Sequence, residues 1–225
     1  MEERRETVRQ AEKLVEEHMS ANDASHDAAH VFRVRDLSLS LAAQEGLSAS
    51  PDSMFIVELA ALLHDIGDYK YARDPAEENL VEQFLEKEGI EENKKMKIVN
   101  IIKRMGFKEE LAGISDQECS LEFGVVQDAD RLDAIGAIGI ARCFTFGGSR
   151  NRVLHDPAIK PRSTISKEEY MNKNQQTTVN HFHEKLLKLK DLMKTQAGRM
   201  RAEKRHKFME EYLEEFYLEW NGGLE

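Results

Sequence analysis

The chain has 225 residues, with 32 lysines and arginines against 42 aspartates and glutamates, a formal charge of −10. This acidic balance argues against binding to duplex nucleic acid, whose phosphates favour clustered positive charge. No apolar stretch approaches the roughly 18 residues of a membrane span, and the first residues lack the hydrophobic segment of a secretory signal. The two cysteines, Cys119 and Cys143, are too far apart for a metal or redox motif. We therefore expect a cytoplasmic protein with no membrane or nucleic-acid partner.

Taken in chain order, nearly every segment shows helical spacing of its apolar residues, and strand patterns are almost absent. The clearest helix covers 55–66, where apolar residues fall at i, i+4, i+7 and i+11. Helix starts are predicted where an N-cap residue precedes proline or opens a capping box, at 50–51, 74–77 and 166–169. Two later stripes are interpreted as core packing: Phe182, Leu186, Leu189 and Met193, then Phe208, Tyr212, Phe216 and Trp220.

These patterns predict an all-α fold organised as a single domain over 1–225. We expect a helical core over about 20–145, a long loop at 146–166, and C-terminal helices at 167–220 that pack back onto the core. The loop is predicted because Gly147 and Gly148 open it and two of the four prolines follow, Pro157 and Pro161.

Two polar residues, His64 and Asp65, interrupt the apolar run of 55–66, and they give the first indication of a functional site. A charged carboxylate in such a setting needs a compensating partner, usually a counter-charge or a metal ion. With His30 upstream and Asp130 downstream, we infer a divalent cation held by His30, His64, Asp65 and Asp130 from three helices. Imidazole and carboxylate ligands suit a first-row cation. Two imidazoles and two carboxylates leave coordination positions on the ion for water, as hydrolysis requires.

A structural interpretation is available for each of these residues taken singly. His64 alone is explained as a hydrogen-bonded core histidine, and Asp130 as an ion-pair partner of Arg131 or Arg33. The metal hypothesis rests on the four residues agreeing as one ordered set.

That ordered set stands in the contexts H-x-x-R-V, L-L-H-D-I-G and D-A-D-R-L-D-A-I-G. It resembles the HD-domain metal-dependent phosphohydrolase superfamily, whose pattern is H…HD…D on a helical bundle. The stretches 144–150 and 180–187 look like the YpgQ/YedJ-like branch, and the resemblance covers most of the chain. It selects Asp130 as the last ligand over the competing carboxylates Asp128 and Asp133. The fold it implies is an HD-domain helical bundle with a C-terminal helical extension packed on it.

The resemblance implies a phosphohydrolase acting on nucleotides, and within that class a nucleoside triphosphate pyrophosphohydrolase. Such an enzyme releases monophosphate and pyrophosphate through a metal-activated water. HD members with two metals carry further histidines between the residues matching Asp65 and Asp130, and this chain has none there. We therefore expect one divalent ion, Mn ahead of Ni, Co, Fe, Mg or Zn. Two alternatives stay open: a 5′-nucleotidase-like phosphomonoesterase, and a helical module that binds a metal or nucleotide without cleaving it.

The expected partner is a small-molecule nucleotide, and a homo-oligomer is left open. Catalytic roles are assigned to Asp65 and to Asp68, which lies one turn beyond His64. Capping of the helix end is the equal alternative for Asp68. Phosphate oxygens need cationic partners with several donors. The candidate substrate contacts are His26, Arg33, Lys70, Arg150, Arg152 and Lys185. For any single cation, a solvated surface position is the competing interpretation.

Overall fold

The computed structural model describes residues 2–66, 79–111, 119–162 and 176–223, and the regular structure in these ranges is helical throughout. The prediction of an all-α fold is confirmed. The α-helices are α1 (Glu2–Met19), α2 (Ala28–Gln44), α3 (Pro51–Leu63), α4 (Leu80–Lys87), α5 (Glu92–Arg104), α6 (Phe107–Leu111), α7 (Leu121–Asp133), α8 (Gly136–Ser149), α9 (Asn180–Glu184) and α10 (Gln196–Trp220). Within the described ranges, Leu47–Ala49 and Leu186–Leu192 form 3₁₀ segments.

The helix α3 forms the centre of the bundle, because eight of its 13 residues are buried. It begins where the sequence predicts. Ser50 Oγ accepts a hydrogen bond from the Ser53 N–H at 3.2 Å, and Pro51 occupies the first turn. α3 packs against α1, α2, α5 and α7, and α2 also packs against α7. The helices α2, α3 and α7 therefore meet one another, and their ends position the site described below.

A buried carboxylate on α7 joins the C-terminal helix to the bundle. Asp128 accepts hydrogen bonds from the backbone N–H groups of Lys194 and Thr195, both at 2.8 Å, and from the Thr195 hydroxyl at 2.7 Å. Thr195 is the N-cap of α10 and in turn accepts from the Gly198 N–H at 3.0 Å. The expected packing of a C-terminal helical extension on the core is therefore present.

The predicted start of the long loop is wrong, because α8 continues through 146–149. Gly147 lies in α8 and serves close packing, since a Cβ there would lie 2.2 Å from the Thr178 hydroxyl oxygen. The described residues that follow, 150–162, are not helical, and the next described helix begins at Asn180. The end of the predicted loop and the helix start at 166–169 lie outside the described residues, as does the helix start at 74–77.

We expect Gly147→Ala to destabilise the fold by about 1–3 kcal/mol, because the added methyl overpacks against Thr178. Gly148→Ala is the matched control. A Cβ at Gly148 would meet nothing within 4 Å, and alanine is favoured over glycine within a helix by about 0.5–1 kcal/mol. Urea unfolding of the two variants measures the difference, and Thr178→Ala should recover part of the loss in Gly147→Ala. Equal stability of the two glycine variants would contradict the packing role.

The two C-terminal apolar stripes differ from each other in burial. All four residues of the stripe in 182–193 are buried, as interpreted, although they span α9, a 3₁₀ segment and an extended residue. In α10 the buried side chains include Met209 and Leu213 instead. Phe208 is 47% exposed and Trp220 is 43% exposed, so the core interpretation of 208–220 is wrong at both ends. Among the described helices, none has the length and apolar character needed to cross a membrane.

Candidate metal centre

The ends of three helices place the four predicted ligands. His30 lies in the first turn of α2, where the Asp27 carboxylate caps the helix by accepting from the His30 N–H at 3.0 Å. His64 and Asp65 directly follow the last residue of α3, and Asp130 lies in the last turn of α7. Because these three helices pack on one another, the four side chains converge.

The donor atoms of the four side chains face one another. Nε2 of His30 is 3.4 Å from Asp65 Oδ2 and 3.6 Å from Asp130 Oδ1. Nε2 of His64 is 3.5 Å from Asp65 Oδ1 and 3.8 Å from Asp130 Oδ1. Ligand atoms of His30, His64 and Asp65 all lie within 4.8 Å of one another. Ligands about 2.1 Å from a shared ion lie roughly 3–3.5 Å apart, so these distances are close to those of a metal site.

The hydrogen bonding of His64 shows that these residues fit a cation. Its Nδ1 lies 2.8 Å from the Ala61 carbonyl oxygen, so Nδ1 donates and Nε2 carries the lone pair. That Nε2 is buried without a hydrogen-bond partner in the described part of the chain, and it faces carboxylate oxygens of Asp65 and Asp130. Buried acceptors that face one another cost free energy unless a cation or a proton lies between them. The donor set therefore fits a divalent ion.

A fifth residue, Asp133, holds the first histidine, a role that sequence reasoning missed. Its Oδ2 lies 2.8 Å from Nδ1 of His30, which directs Nε2 of that ring to the cluster. Arg33 donates to the same carboxylate through Nε at 2.9 Å and Nη2 at 3.0 Å, and Arg142 through Nη1 at 3.1 Å. Carboxylates in this position orient the histidines that bind metals. The available signal was spacing, because Asp133 follows Asp130 by one helical turn and shares its face of α7.

The electrostatic environment keeps these carboxylates ionised. Burial raises the pKa of Asp133, but hydrogen bonds from His30 and its arginine partners lower the pKa well below the usual range. Burial raises the pKa values of Asp65 and Asp130, but the imidazoles of His64 and His30, when protonated, lower them overall. Burial lowers the pKa of His30, and its bonds to Asp133 and Asp65 raise it overall. Ionised carboxylates are the form that binds a cation.

The two arginines that were considered as ion-pair partners of Asp130 pair with other carboxylates. Arg131 bonds to Glu110, and Arg33 bonds to Asp133. The side chain of Arg33 is 37% exposed, so its predicted contact with a substrate phosphate stays a prediction beside this observed role. Asp68 and Lys70 lie outside the described residues, and their predicted roles are not tested.

His26 lies beside the cluster and is held by its neighbours. Its ring centroid is 6.0 Å from that of His30 and 5.6 Å from that of Phe146. Asp23 accepts hydrogen bonds from both the N–H and the hydroxyl of Ser25. The single hydroxyl hydrogen of Ser25 is therefore used, so Ser25 Oγ accepts from Nδ1 of His26 at 2.8 Å. The neutral His26 ring then carries its lone pair on Nε2.

Three predicted phosphate contacts lie next to aromatic rings. The guanidinium carbons of Arg150 and Arg152 are 5.4 Å and 5.1 Å from the centroid of Phe146, the ring that also contacts His26. The ammonium of Lys185 is 5.1 Å from the Phe107 ring. The structure thus connects the two arginines to the metal cluster through Phe146 and His26.

Cys143 lies in the field of two of these cations. Burial raises the pKa of its thiol to about 12, although the charges of Arg152 and Lys185 act to lower it. A thiol with a raised pKa stays protonated at neutral pH, so Cys143 is an unreactive thiol.

An all-α bundle in which two histidines and two aspartates converge from three helices has the architecture of an HD-type metal-dependent hydrolase. The family model described as HD domain matches residues 27–135, which include all four converging residues. YpgQ of Bacillus subtilis is 36% identical over 211 residues, covering 92% of this chain and 91% of that protein. The chain belongs to the HD-domain superfamily, in the branch that includes YpgQ, and is a metal-dependent phosphohydrolase.

Solved structures agree with this assignment. A protein from Lactobacillus plantarum has a TM-score of 0.84 at 34% identity, covering 96% of this chain and 97% of that one. An HD-superfamily hydrolase from Bacillus thuringiensis has a TM-score of 0.71 at 38% identity, covering 97% and 99%. YpgQ of Bacillus subtilis in complex with ADP has a TM-score of 0.69 at 31% identity, covering 95% of each chain.

Proposed function

We propose that the chain is a nucleoside triphosphate pyrophosphohydrolase that releases a nucleoside monophosphate and pyrophosphate. The observation that carries this proposal is the similarity to YpgQ along nearly the whole chain, because that protein forms a complex with ADP. A nucleotide ligand in a close relative with the same HD-type fold favours a nucleotide substrate here. The closely placed donor atoms of His30, His64 and Asp65, with Asp130 beside them, support the use of a metal ion.

Within this proposal, His30, His64, Asp65 and Asp130 hold one divalent ion, manganese first among the candidates. When bound, such an ion supplies Lewis acidity and lowers the pKa of a coordinated water. The carboxylates of Asp65 and Asp130 are acceptors that can orient the attacking water and neutralise positive charge. Asp68, outside the described residues, stays the predicted proton-transfer group.

We assign the substrate phosphates that the metal ion does not contact to Arg150 and Arg152, which follow α8, and to Lys185. A guanidinium that lies over an aromatic ring keeps N–H donors that phosphate oxygens can accept from. Arg150 and Arg152 share this arrangement, and Lys185, which lies over Phe107, is a further proposed contact. His26 lies between Phe146 and His30, a member of the metal cluster. Lys70 and Arg33 remain further proposed contacts.

A product analysis tests the proposal. Purified protein with Mn²⁺ is incubated with nucleoside mono-, di- and triphosphates, and phosphate is separated from pyrophosphate. We expect monophosphate and pyrophosphate from triphosphates. Release of phosphate from monophosphates would instead indicate a 5′-nucleotidase-like enzyme. Retention of Mn²⁺ and nucleotide without turnover would indicate a binding module.

We expect Arg152→Ala to raise KM for a triphosphate about tenfold, the effect of losing one charged hydrogen bond of about 1.5 kcal/mol. Steady-state kinetics with a fixed Mn²⁺ concentration measure this change. Arg9→Ala is the matched control, because Arg9 is 62% exposed on α1 and pairs with Glu6. Equal KM values for the two variants would remove Arg152 from the proposed substrate contacts.

A further inference from the structure

The loop 150–162, which carries the two arginines assigned to substrate phosphates, is bound to the chain that leads into α9. The backbone N–H of Thr178 donates to the carbonyl oxygen of Val153 at 2.9 Å. The side-chain amide of Asn180 donates to the carbonyl oxygen of Ile159 at 2.8 Å. Thr178 and Asn180 are both buried, so these donors belong to the core of the fold. The loop therefore has buried partners along its length, unlike a segment that opens locally.

A buried carboxylate, that of Glu184 in α9, holds the end of this loop. Glu184 accepts hydrogen bonds from the Arg162 backbone N–H at 3.0 Å, from its Nε at 3.1 Å and from its Nη2 at 2.6 Å. The side-chain amide of Gln176 donates to the same carboxylate at 3.1 Å. A carboxylate that accepts two bonds from one guanidinium is a strong and directional partner. Glu184 thus fixes the loop end through both its backbone and its side chain.

The start of the loop has a backbone conformation that few residues adopt. Asn151 has a φ of 51°, in the left-handed region that asparagine tolerates better than most side chains. After this turn the Arg152 N–H donates to the Gly147 carbonyl oxygen at 2.9 Å, which closes the end of α8. The neighbours of Asn151 are Arg150 and Arg152, and both guanidiniums lie over the Phe146 ring. The left-handed turn therefore brings the two cations to one ring.

We infer that Glu184 is a positioning residue that holds the loop 150–162 as a preorganised phosphate-binding loop. Arg150 and Arg152 are then in place before the substrate binds, and no closing movement is needed. This inference rests on the proposed function, which assigns the two arginines to substrate phosphates. Donors that are held before binding avoid the entropy cost of ordering a loop in the complex. Loss of the Glu184 carboxylate should therefore weaken substrate binding and leave the chemical step unchanged.

Glu184→Ala should raise KM for a triphosphate about tenfold, the change expected for loss of Arg152, and keep kcat within about twofold. The control is Glu12→Ala, which breaks the partly buried ion pair with Arg35 between α1 and α2 and should keep the natural KM. In Arg152→Ala/Glu184→Ala the increase should stay well below the roughly hundredfold of independent effects, because both changes affect one contact. A natural KM in folded Glu184→Ala, or independent effects in the double variant, would overturn the inference.

Two variants of Asn151 test the loop from its other end without removing a buried charge, and they decide the matter if circular dichroism shows that Glu184→Ala is unfolded. Valine is strained at this φ and glycine is not. KM should therefore rise in Asn151→Val toward the value expected for Glu184→Ala, and it should stay natural in Asn151→Gly. Equal KM values in the valine and glycine variants would contradict a fixed loop.

Tryptophan fluorescence reports the position of the loop. Trp220 is the single tryptophan of the chain, and its ring centroid is 5.0 Å from that of His155 in the loop. Acrylamide quenching of Trp220 should increase in Glu184→Ala and stay natural in Glu12→Ala. A released loop combined with a natural KM would show that Glu184 has only a structural role.

Calorimetric titration with inorganic pyrophosphate in the presence of Mn²⁺ separates this inference from the proposed function. If the natural chain releases no pyrophosphate from triphosphates, the proposed function fails. Pyrophosphate binding that is about tenfold weaker in Glu184→Ala than in Glu12→Ala would still support the preorganised loop. Equal pyrophosphate binding in these two variants would overturn it, whatever the reaction is.

Discussion

Replacing His64 with alanine should remove the divalent ion and abolish hydrolysis. Its Nε2 is the buried atom that faces both cluster carboxylates and has no hydrogen-bond partner in the described residues, so a bound cation is the partner it lacks. Without this ligand, His30, Asp65 and Asp130 are left with a more open and weaker site. The measurement is metal content per chain after dialysis, together with turnover of a triphosphate. His64→Gln, which keeps more of the side-chain volume, should give the same result.

The metal should also stabilise the fold, because the four residues are brought together only in the folded chain. An ion present at a hundred times its dissociation constant adds about 2.7 kcal/mol, which raises Tm by roughly 5–11 °C in a domain of this size. A chelator should lower the Tm of the natural chain by this amount and leave the Tm of His64→Ala unchanged.

Asp128→Asn is the control for the His64 variants. Asp128 is a buried carboxylate two residues from Asp130, but its hydrogen bonds hold the start of α10. We expect this variant to lose about 1–3 kcal/mol of stability and to keep its metal. Full metal content and activity in His64→Ala would show that the chemistry takes place elsewhere.

The four converging residues could be predicted from the sequence because each has a recognisable local sequence context. His64 and Asp65 interrupt an apolar run, and His30 and Asp130 complete an ordered pattern around them. For Asp133 the only local sign is its spacing of one helical turn from Asp130. It lies 103 residues from His30, and its role depends on how α2 packs against α7. The spacing places Asp133 on the ligand face of α7, but only the packing of the two helices shows that its partner is His30.

The helix pattern was predictable for similar reasons, and its errors have physical causes. The N-cap at Ser50 before Pro51 is a local signal, and α3 begins there. Gly147 and Gly148 are equally compatible with a loop and with close helix packing, and only the position of Thr178 decides between them. The aromatic residues of α10 have helical spacing, but the face that is buried depends on the orientation of the helix against its neighbours. Phe208 is consequently exposed.

Asp133→Asn should weaken metal binding and activity by about 10–100-fold while the chain stays folded. The amide oxygen can still accept the hydrogen bond from Nδ1 of His30, but the negative charge that raises the basicity of that ring is lost. The measurement is a Mn²⁺ titration followed by kinetics at saturating Mn²⁺. Asp128→Asn again serves as the control, since it changes a buried carboxylate on the same helix and should leave the Mn²⁺ affinity unchanged.

Asp133→Ala separates this positioning role from the structural one. It leaves Arg33 and Arg142 without their shared carboxylate, and breaking a buried ion pair costs about 3–5 kcal/mol. Arg33 is 37% exposed and regains water, so we expect a loss near the lower end, about 3 kcal/mol, in urea unfolding. If Asp133→Asn binds Mn²⁺ as tightly as the natural chain and only Asp133→Ala is affected, then Asp133 anchors the two arginines and does not tune His30. We expect the reverse outcome for the amide, a weakened site in a variant that loses less stability than Asp133→Ala, because the 2.8 Å bond between His30 and Asp133 can be kept.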